Sequence, residues 1–183
     1  MNDKNRVCPI ERAGRLDSKI RNFIQNPYRI LRNYIRPGMN ALDIGPGPGY
    51  FTIPMAEMLG ASGKVIAADL QQGMLDKLKN KITGTEFEQR IILHKCDADK
   101  IGVTDEVDFI LAFYVVHEVP DAGKLFSELH TILKKNGKIL IVEPPGHVSK
   151  NDFEKMAAKA EQAGFIIIEK PRIFLGRTVV LMK

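Results

Sequence analysis

Short apolar runs alternate with amphipathic segments along most of the chain, from about residue 39 onward. Five runs with little polar alternation are predicted to be strands: residues 41–44, 64–68, 91–96, 107–113 and 138–142. Four segments with apolar residues at helical spacing lie between or after them: residues 52–59, 71–82, 122–133 and 151–163. Strands that are apolar on both faces are typical of a parallel sheet covered by helices on both sides. The pattern therefore predicts an α/β fold.

The last two predicted strands, residues 165–169 and 178–181, follow each other closely, with a short connection around Gly176. Such a connection joins antiparallel strands, because parallel strands need a longer crossover. We therefore predict a seven-stranded, mostly parallel sheet that ends in a C-terminal antiparallel hairpin. The helix over residues 122–133 is expected to begin at Asp121 as its N-cap and to stop at Asn136-Gly137.

The first 38 residues are predicted to form helices outside that sheet. Asn26-Pro27 supplies an N-cap and a first-turn proline for one of them, and Pro37-Gly38 is expected to end it. Two apolar stripes support the helices: Leu16, Ile20, Phe23 and Ile24, and then Ile30, Leu31, Tyr34 and Ile35. We therefore divide the chain into a helical lid or extension over residues 1–38 and one domain over residues 39–183.

The basic charge of the chain is concentrated at its start. The whole sequence has a formal net charge of +5, yet residues 1–40 alone carry nine Lys and Arg against three Asp and Glu. The bases carry no interleaved aromatic residues of the kind that nucleic-acid readers use. Two interpretations stay open: a solvated helix face without a ligand, or attraction of an anionic substrate, RNA or a membrane surface.

The cellular compartment follows from what the sequence lacks. No apolar run reaches 18 residues, so no membrane span is predicted. The first 12 residues are polar and charged, unlike the apolar stretch of a signal peptide. Cys8 and Cys96 are the only cysteines and cannot form a disulfide framework. We expect a cytoplasmic protein.

Alternating glycines follow the first predicted strand directly, in the run Asp43-Ile44-Gly45-Pro46-Gly47-Pro48-Gly49-Tyr50. Glycines in such a turn let the backbone bend tightly and approach a ligand closely. Asp69 ends the next strand, where an acid at an exposed strand end can accept hydrogen bonds from both hydroxyls of a ribose. Together the two features predict a site for a nucleotide-like cofactor.

Two other classes of nucleotide site fit these residues less well. A dinucleotide fingerprint needs its third glycine where this chain has Tyr50. A Walker-type phosphate loop needs Gly-Lys followed by Ser or Thr, which the chain lacks. Asp43 would repel a pyrophosphate but attract a cationic amino group or a sulfonium.

Four segments in this order resemble the class I S-adenosylmethionine (SAM)-dependent methyltransferases, and most of all their small-molecule group, which includes the ubiquinone/menaquinone C-methyltransferases. The segments are Leu42–Gly49, Val65–Asp69, Cys96-Asp97-Ala98, and Phe109–Asp121 followed by residues 133–138. The resemblance implies a Rossmann-like fold with SAM as the cofactor and S-adenosylhomocysteine as the product. It is more specific for the cofactor than for the substrate.

The resemblance also assigns roles to single residues. Asp43, Gly45, Pro46, Gly47 and Gly49 would lie near the methionine moiety. Asp69 would bind the ribose hydroxyls and Leu70 would pack on the adenine. Asp97 would accept from the adenine amino group beside Ala98, with Asp99 as its competitor. Ala112 and Phe113 would contribute backbone groups at the end of the fourth strand.

Catalytic and substrate residues are less clearly marked. His117 and Glu118 follow the fourth strand, where the substrate lies in this family, and either could be a general base; His117 could equally serve as a capping group. Candidate substrate residues are Tyr28, Arg29, Arg32 and Tyr34 of the lid, and His147 after the fifth strand.

His94 and Cys96 share a strand face but lack the ligand set of a metal site.

The resemblance implies transfer of a methyl group to a small-molecule acceptor by in-line displacement. Alignment of the reacting atoms and exclusion of water would supply most of the catalysis. Two alternatives remain: an RNA methyltransferase that uses the basic N-terminal segment, and a SAM-binding module without catalytic activity. The sequence leaves the oligomeric state open.

Overall fold

The computed structural model describes residues 24–183. Its helices are α1 (Pro27–Leu31), α2 (Thr52–Leu59), α3 (Gln72–Ile82), α4 (Ala122–Ile132) and α5 (Lys150–Gln162). Its strands are β1 (Asn40–Ile44), β2 (Lys64–Asp69), β3 (Ile91–Lys95), β4 (Val107–Phe113), β5 (Leu133–Glu143), β6 (Ile166–Glu169) and β7 (Arg177–Met182). A 3₁₀ turn over Val116–Glu118 follows β4.

The seven strands form one sheet in the order β3-β2-β1-β4-β5-β7-β6. Strands β1 to β5 are parallel, and β7 is antiparallel to both β5 and β6. The predicted α/β fold, with its mostly parallel sheet and terminal hairpin, is therefore confirmed. The strand order reverses between β1 and β4, and ligands of open α/β sheets bind beyond the carboxyl ends of the strands at such a point.

Helices cover both faces of the sheet, as the unbroken apolar strands predict. On β4, Ile110 faces a cluster that includes Phe126 of α4 and Ala160 of α5. Phe109 faces the opposite cluster, which includes Leu78 of α3. Among residues 24–183, no helix combines the length and apolarity needed to cross a bilayer.

Helix α4 begins as predicted but ends earlier. The Asp121 side chain accepts hydrogen bonds from the backbone N–H groups of Gly123 and Lys124, which makes it the N-cap. The predicted stop at Asn136-Gly137 is wrong, because α4 ends at Ile132 and β5 already starts at Leu133. Leu133 is fully buried and pairs with β4 at Val107, so strand pairing overrides the local helical pattern.

The second N-terminal helix is confirmed as α1, although it is shorter than expected. The Asn26 side chain accepts from the backbone N–H of Arg29 at 3.0 Å, and Pro27 occupies the first turn. The helix ends at Leu31, before the predicted stop at Pro37-Gly38. Cys8, six of the nine N-terminal bases and the stripe residues Leu16, Ile20 and Phe23 lie outside the described residues. The lid over residues 1–38 therefore stays a prediction.

The apolar interior generates a stability prediction. Phe126→Ala should lower the free energy of unfolding by about 3–5 kcal/mol, because a fully buried aromatic side chain leaves a cavity. Phe174→Ala is the matched control, since Phe174 is 62% exposed and its loss should change stability by less than about 0.5 kcal/mol. Urea denaturation measures both, and equal losses would contradict the assigned core.

Candidate active site

A cavity of about 890 Å³ lies beyond the carboxyl ends of the parallel strands. Segments at and beyond the carboxyl ends of five strands line it: residues 43–48 at β1, 68–71 at β2, 96–101 after β3, 113–115 and 117–121 at β4, and Pro144 and His147 after β5. The volume lies in the upper part of the range of about 300–1,000 Å³ for small-molecule sites. The cavity is therefore lined by residues from both sides of the point between β1 and β4 where the strand order reverses.

The loop after β1 has a left-handed backbone at its glycines, a conformation that other residues adopt only with strain. Gly45, Gly47 and Gly49 all have positive φ, at 66°, 54° and 91°. Gly45 and Gly47 line the cavity, whereas Gly49 faces α3. A Cβ at Gly49 would lie 2.5 Å from Leu78 Cδ1, so this glycine lets the loop pack closely against the helix.

Asp43 is a buried carboxylate at the start of that loop, and it lines the cavity. The Thr52 hydroxyl, at the beginning of α2, donates to Asp43 Oδ2 at 2.6 Å. Thr52 is itself fully buried. The first residue of the helix therefore fixes the orientation of the acid beside the glycine loop.

Asp69 links the second strand to the same loop. Its Oδ2 accepts from the Gly47 N–H at 3.2 Å and its Oδ1 from the Gln71 N–H at 2.8 Å. The strand end is buried rather than exposed as expected, since Asp69 is only 6% exposed. Burial raises the pKa of Asp69, although these hydrogen bonds and the charge of Lys95 oppose the shift. A carboxylate has about four lone-pair sites, so this one retains acceptor capacity for a ligand.

The segment after β3 separates two competing acids. Asp97 and Asp99 both line the cavity, but Asp99 is bound by Lys124 Nζ at 2.6 Å. Cys96 is buried there, and burial is the main cause that raises the pKa of its thiol to about 12. A neutral thiol is a poor nucleophile and metal ligand. Residues 24–183 contain no cluster of His, Cys, Asp and Glu that could hold a metal ion.

A sharp backbone turn follows β4. Tyr114 has a φ of 62°, a left-handed conformation that is uncommon outside glycine, and its N–H donates to Val142 O at 2.7 Å. Its hydroxyl donates to Leu175 O and accepts from Gln25 Nε2, both at 2.6 Å. The turn directs residues 113–121 along the cavity wall.

His117 and Glu143 form a polar pair at the β4–β5 end of the cavity. His117 Nδ1 is hydrogen-bonded to Glu143 Oε2, while Glu143 Oε1 accepts from the Val116 N–H at 2.8 Å. The His147 ring lies edge-on to the His117 ring, with centroids 5.7 Å apart. Burial lowers the pKa of His117, but the hydrogen bond and charge of Glu143 and the charge of Glu118 outweigh it, so the pKa is raised overall.

Most residues singled out in the sequence meet in this cavity. Its lining includes Asp43, Gly45, Pro46, Gly47, Asp69, Leu70, Asp97, Ala98, Phe113, His117, Glu118 and His147. Gly49 and Ala112 do not line it; Ala112 is buried within β4, next to the cavity-lining Phe113.

The four candidate substrate residues of the lid lie elsewhere. Tyr28 donates its hydroxyl to Glu57 Oε2 on α2. Tyr34 is buried and stacks on Phe109 beneath the sheet, with ring centroids 5.9 Å apart. Arg29 and Arg32 are exposed and do not line the cavity. The apolar side chains of this segment, such as Leu31 and Ile35, are buried in the core. None of the four candidate residues lines the cavity.

Sequence reasoning missed three residues that shape the site. Thr52 anchors Asp43, and Glu143 holds His117. Glu128 of α4 accepts from the backbone N–H groups of Ile101 and Gly102, which fixes the loop after β3. Of the three, only Glu143 could have been identified from the sequence, because it ends an apolar strand in the same way as Asp69.

A family model described as a methyltransferase domain matches residues 35–172, about three quarters of the chain. The demethylmenaquinone methyltransferase of Lactobacillus johnsonii is 36% identical over 110 residues, which cover 60% of this chain and 45% of that protein. The ubiquinone/menaquinone biosynthesis C-methyltransferase of Vibrio vulnificus is 26% identical over 136 residues, or 74% of this chain and 51% of that protein. The chain thus spans about half the length of these curated relatives.

The fold is also found in a solved structure of nearly the same extent. A SAM-dependent methyltransferase from Aquifex aeolicus has a TM-score of 0.85 and 24% sequence identity to this chain. The match covers 96% of this chain and 99% of that one. The likeness shows that the two chains share their fold over almost their whole lengths.

The Asp43 anchor generates a prediction. Thr52→Val should lower the free energy of unfolding by about 1–3 kcal/mol, because a buried carboxylate oxygen loses its hydroxyl donor. Thr52→Ser keeps the hydroxyl and is the matched control. Guanidinium denaturation at pH 7 compares the variants, and an equal loss in Thr52→Ser would show that the methyl group, not the hydrogen bond, matters.

Proposed function

This chain belongs to the methyltransferase domain family, and from that membership we propose that it transfers the methyl group of SAM to a small-molecule acceptor. The observation that carries the proposal is a pair of buried carboxylates, Asp43 and Asp69, beside one glycine loop in one cavity. Bound SAM supplies an activated methyl group on a cationic sulfur. Carboxylates suit its positive end and its sugar hydroxyls, whereas they would repel a phosphate.

The residues at the β1 and β2 ends fit the methionine and ribose parts of SAM. Asp43, Gly45, Pro46 and Gly47 bind the methionine end, where the buried acid faces the cation. Asp69 accepts from the ribose hydroxyls with the lone pairs that Gly47 and Gln71 leave free. Burial raises the pKa of Asp69 and so disfavours its ionised form. Hydrogen bonds donated by the ribose hydroxyls would stabilise that ionised form.

The β2 and β3 ends fit the adenine. Leu70 packs against the ring, and Asp97 accepts from its amino group beside Ala98. Lys124 binds Asp99, which favours Asp97 as the acceptor. Phe113 lines the cavity at the end of β4. Gly49 lets the glycine loop pack against α3, and Ala112 is buried in β4 next to Phe113.

A small-molecule acceptor suits the volume of the cavity and the names of the relatives. Aromatic and apolar residues line its β4 side, including Phe113, Val119 and Pro120. The matched relatives are named for menaquinone and ubiquinone biosynthesis, so hydroquinones are the first acceptors to test. Support for RNA as the acceptor lies mainly in the N-terminal bases outside the described residues.

A thermal-shift panel with SAM, S-adenosylhomocysteine, NAD and ATP tests the cofactor. We expect SAM and S-adenosylhomocysteine to raise the unfolding temperature, because a ligand at 100 times its Kd adds about 2.7 kcal/mol of stability. A shift with NAD alone would overturn the proposal.

Methyl transfer from labelled SAM to hydroquinones or to RNA then distinguishes the two classes of acceptor, and RNA binding should weaken steeply with salt.

Asp69→Asn should weaken SAM binding about tenfold or more, because a charged acceptor for the ribose is replaced by a neutral amide. Asn has a single carbonyl oxygen and can accept from only one of the Gly47 and Gln71 N–H groups, so urea denaturation of the ligand-free variant checks that it is folded. Asp105→Ala, an exposed acid outside the cavity, is the control. Isothermal titration calorimetry measures both variants, and unchanged affinity in Asp69→Asn would remove Asp69 from the site.

A further inference from the structure

We propose that His117, positioned by Glu143, is the general base that removes a proton from the acceptor. The acceptor is then a compound whose reaction requires loss of a proton from a weakly acidic hydroxyl, as in a phenol or an enol. This inference rests on the proposed function, because it concerns the acceptor half of the same cavity. It goes further in naming the base, the carboxylate that positions it and the chemistry of the acceptor.

Glu143 is held in one orientation by the end of β5. It is 1% exposed, and both of its oxygens accept hydrogen bonds, one from the Val116 N–H and one from His117 Nδ1. A buried carboxylate without such donors would be strongly destabilising. The pairing therefore fixes both the acid and the 3₁₀ turn that carries His117.

The same pairing determines which nitrogen of His117 is available. An ionised carboxylate only accepts hydrogen bonds, so Nδ1 must carry the proton that it shares with Glu143. Nε2 is then unprotonated in the neutral ring and lies on the side of the ring away from Glu143. The side chain is 21% exposed and lines the cavity. The pair thus presents a proton acceptor to the cavity.

The position of the pair matches the acceptor rather than the cofactor. Most residues assigned to SAM lie at the carboxyl ends of β1, β2 and β3, and Ala112 and Phe113 end β4, whereas His117 lies beyond β4 and Glu143 ends β5. Neighbouring strands lie about 4.8 Å apart, so the pair lies one to two strands beyond the methionine end. Tyr114, Val115 and Pro144 line this part of the cavity.

The groups that face His117 set the direction of its pH response. Glu143 and Glu118 favour the protonated ring of His117, and the His147 ring lies edge-on beside it. Lys124 and Asp121 line the same cavity from the α4 side. A base must be deprotonated to act, so turnover should rise as the pH rises through the raised pKa of His117.

The step balances without any further reagent. The hydroxyl proton moves to His117 Nε2, and the resulting imidazolium is stabilised by Glu143. A lone pair on the ionised oxygen, or the π electrons at the conjugated carbon, form the bond to the methyl carbon, and the carbon–sulfur bond breaks with its electron pair going to sulfur. After methylation at carbon, water removes the proton from that carbon and a proton adds to the oxygen, which restores the hydroxyl. His117 then returns its proton to water.

The first test measures the histidine directly, without cofactor or acceptor. NMR titration of the imidazole resonances should give a higher pKa for His117 than for a free histidine, and the Nδ1–H tautomer in its neutral form. Glu143→Gln should lower that pKa and shift the tautomer, while the His130 resonances stay unchanged. His117→Asn assigns the signals. An unshifted His117 pKa in a folded Glu143→Gln variant would overturn the pairing.

The second test measures turnover with phenolic acceptors, for which 1,4-naphthohydroquinone and catechol serve as probes. His117→Asn should keep its SAM affinity by calorimetry but lose about 100-fold in kcat/KM, the scale of general base catalysis. In Glu143→Gln the rise of turnover with pH should move to lower pH, and kcat should fall more than KM rises. His130→Asn, on α4 outside the cavity, is the control.

The two proposals fail differently. If the wild-type protein does not bind SAM, the proposed function fails whatever the histidine does. If SAM binds and the wild-type protein and His117→Asn methylate the phenols equally, the general base is overturned and the proposed function stands. If SAM binds but no phenolic probe is methylated, the acceptor chemistry inferred here is wrong.

Discussion

The site depends on one constraint: three carboxylates are buried at the carboxyl edge of a parallel sheet, and each must find hydrogen-bond donors there. Asp43 ends up bonded to Thr52, Asp69 to the glycine loop, and Glu143 to the turn after β4. Buried carboxylates without donors are expensive, so these bonds fix the loops as much as the loops fix the acids. The cavity wall is therefore organised before any ligand binds, which lowers the entropic cost of binding.

The strand order divides the cavity into two halves. Because β1 lies between β2 and β4, segments from β1, β2 and β3 meet on one side and segments from β4 and β5 on the other. The first half carries Asp43 and Asp69, which suit a cation and a sugar. The second carries the His117–Glu143 pair beside aromatic and apolar side chains, which suits an acceptor that must lose a proton. One sheet edge can thus position both reactants for an in-line transfer.

Much of this could be predicted from local patterns. The apolar runs located six strands to within one residue and β5 without its first five residues, and the glycine run marked the loop that needs left-handed backbone. Asp121 and Asn26 were recognised as N-caps because capping depends on the next three residues alone. The predicted stop of α4 failed at Leu133 because pairing with β4, 26 residues earlier in the chain, outweighs helical propensity.

Local sequence is enough to show where strands end in acids and where glycines must bend the chain, since strand period and backbone sterics act over a few neighbouring residues. Which groups meet depends on the folded chain: Glu143 pairs with His117, Lys124 binds Asp99, and Tyr34 packs in the core. These contacts join residues tens of positions apart. Their pairing follows from the order of strands in the sheet and the burial of polar groups between them, which no local pattern records.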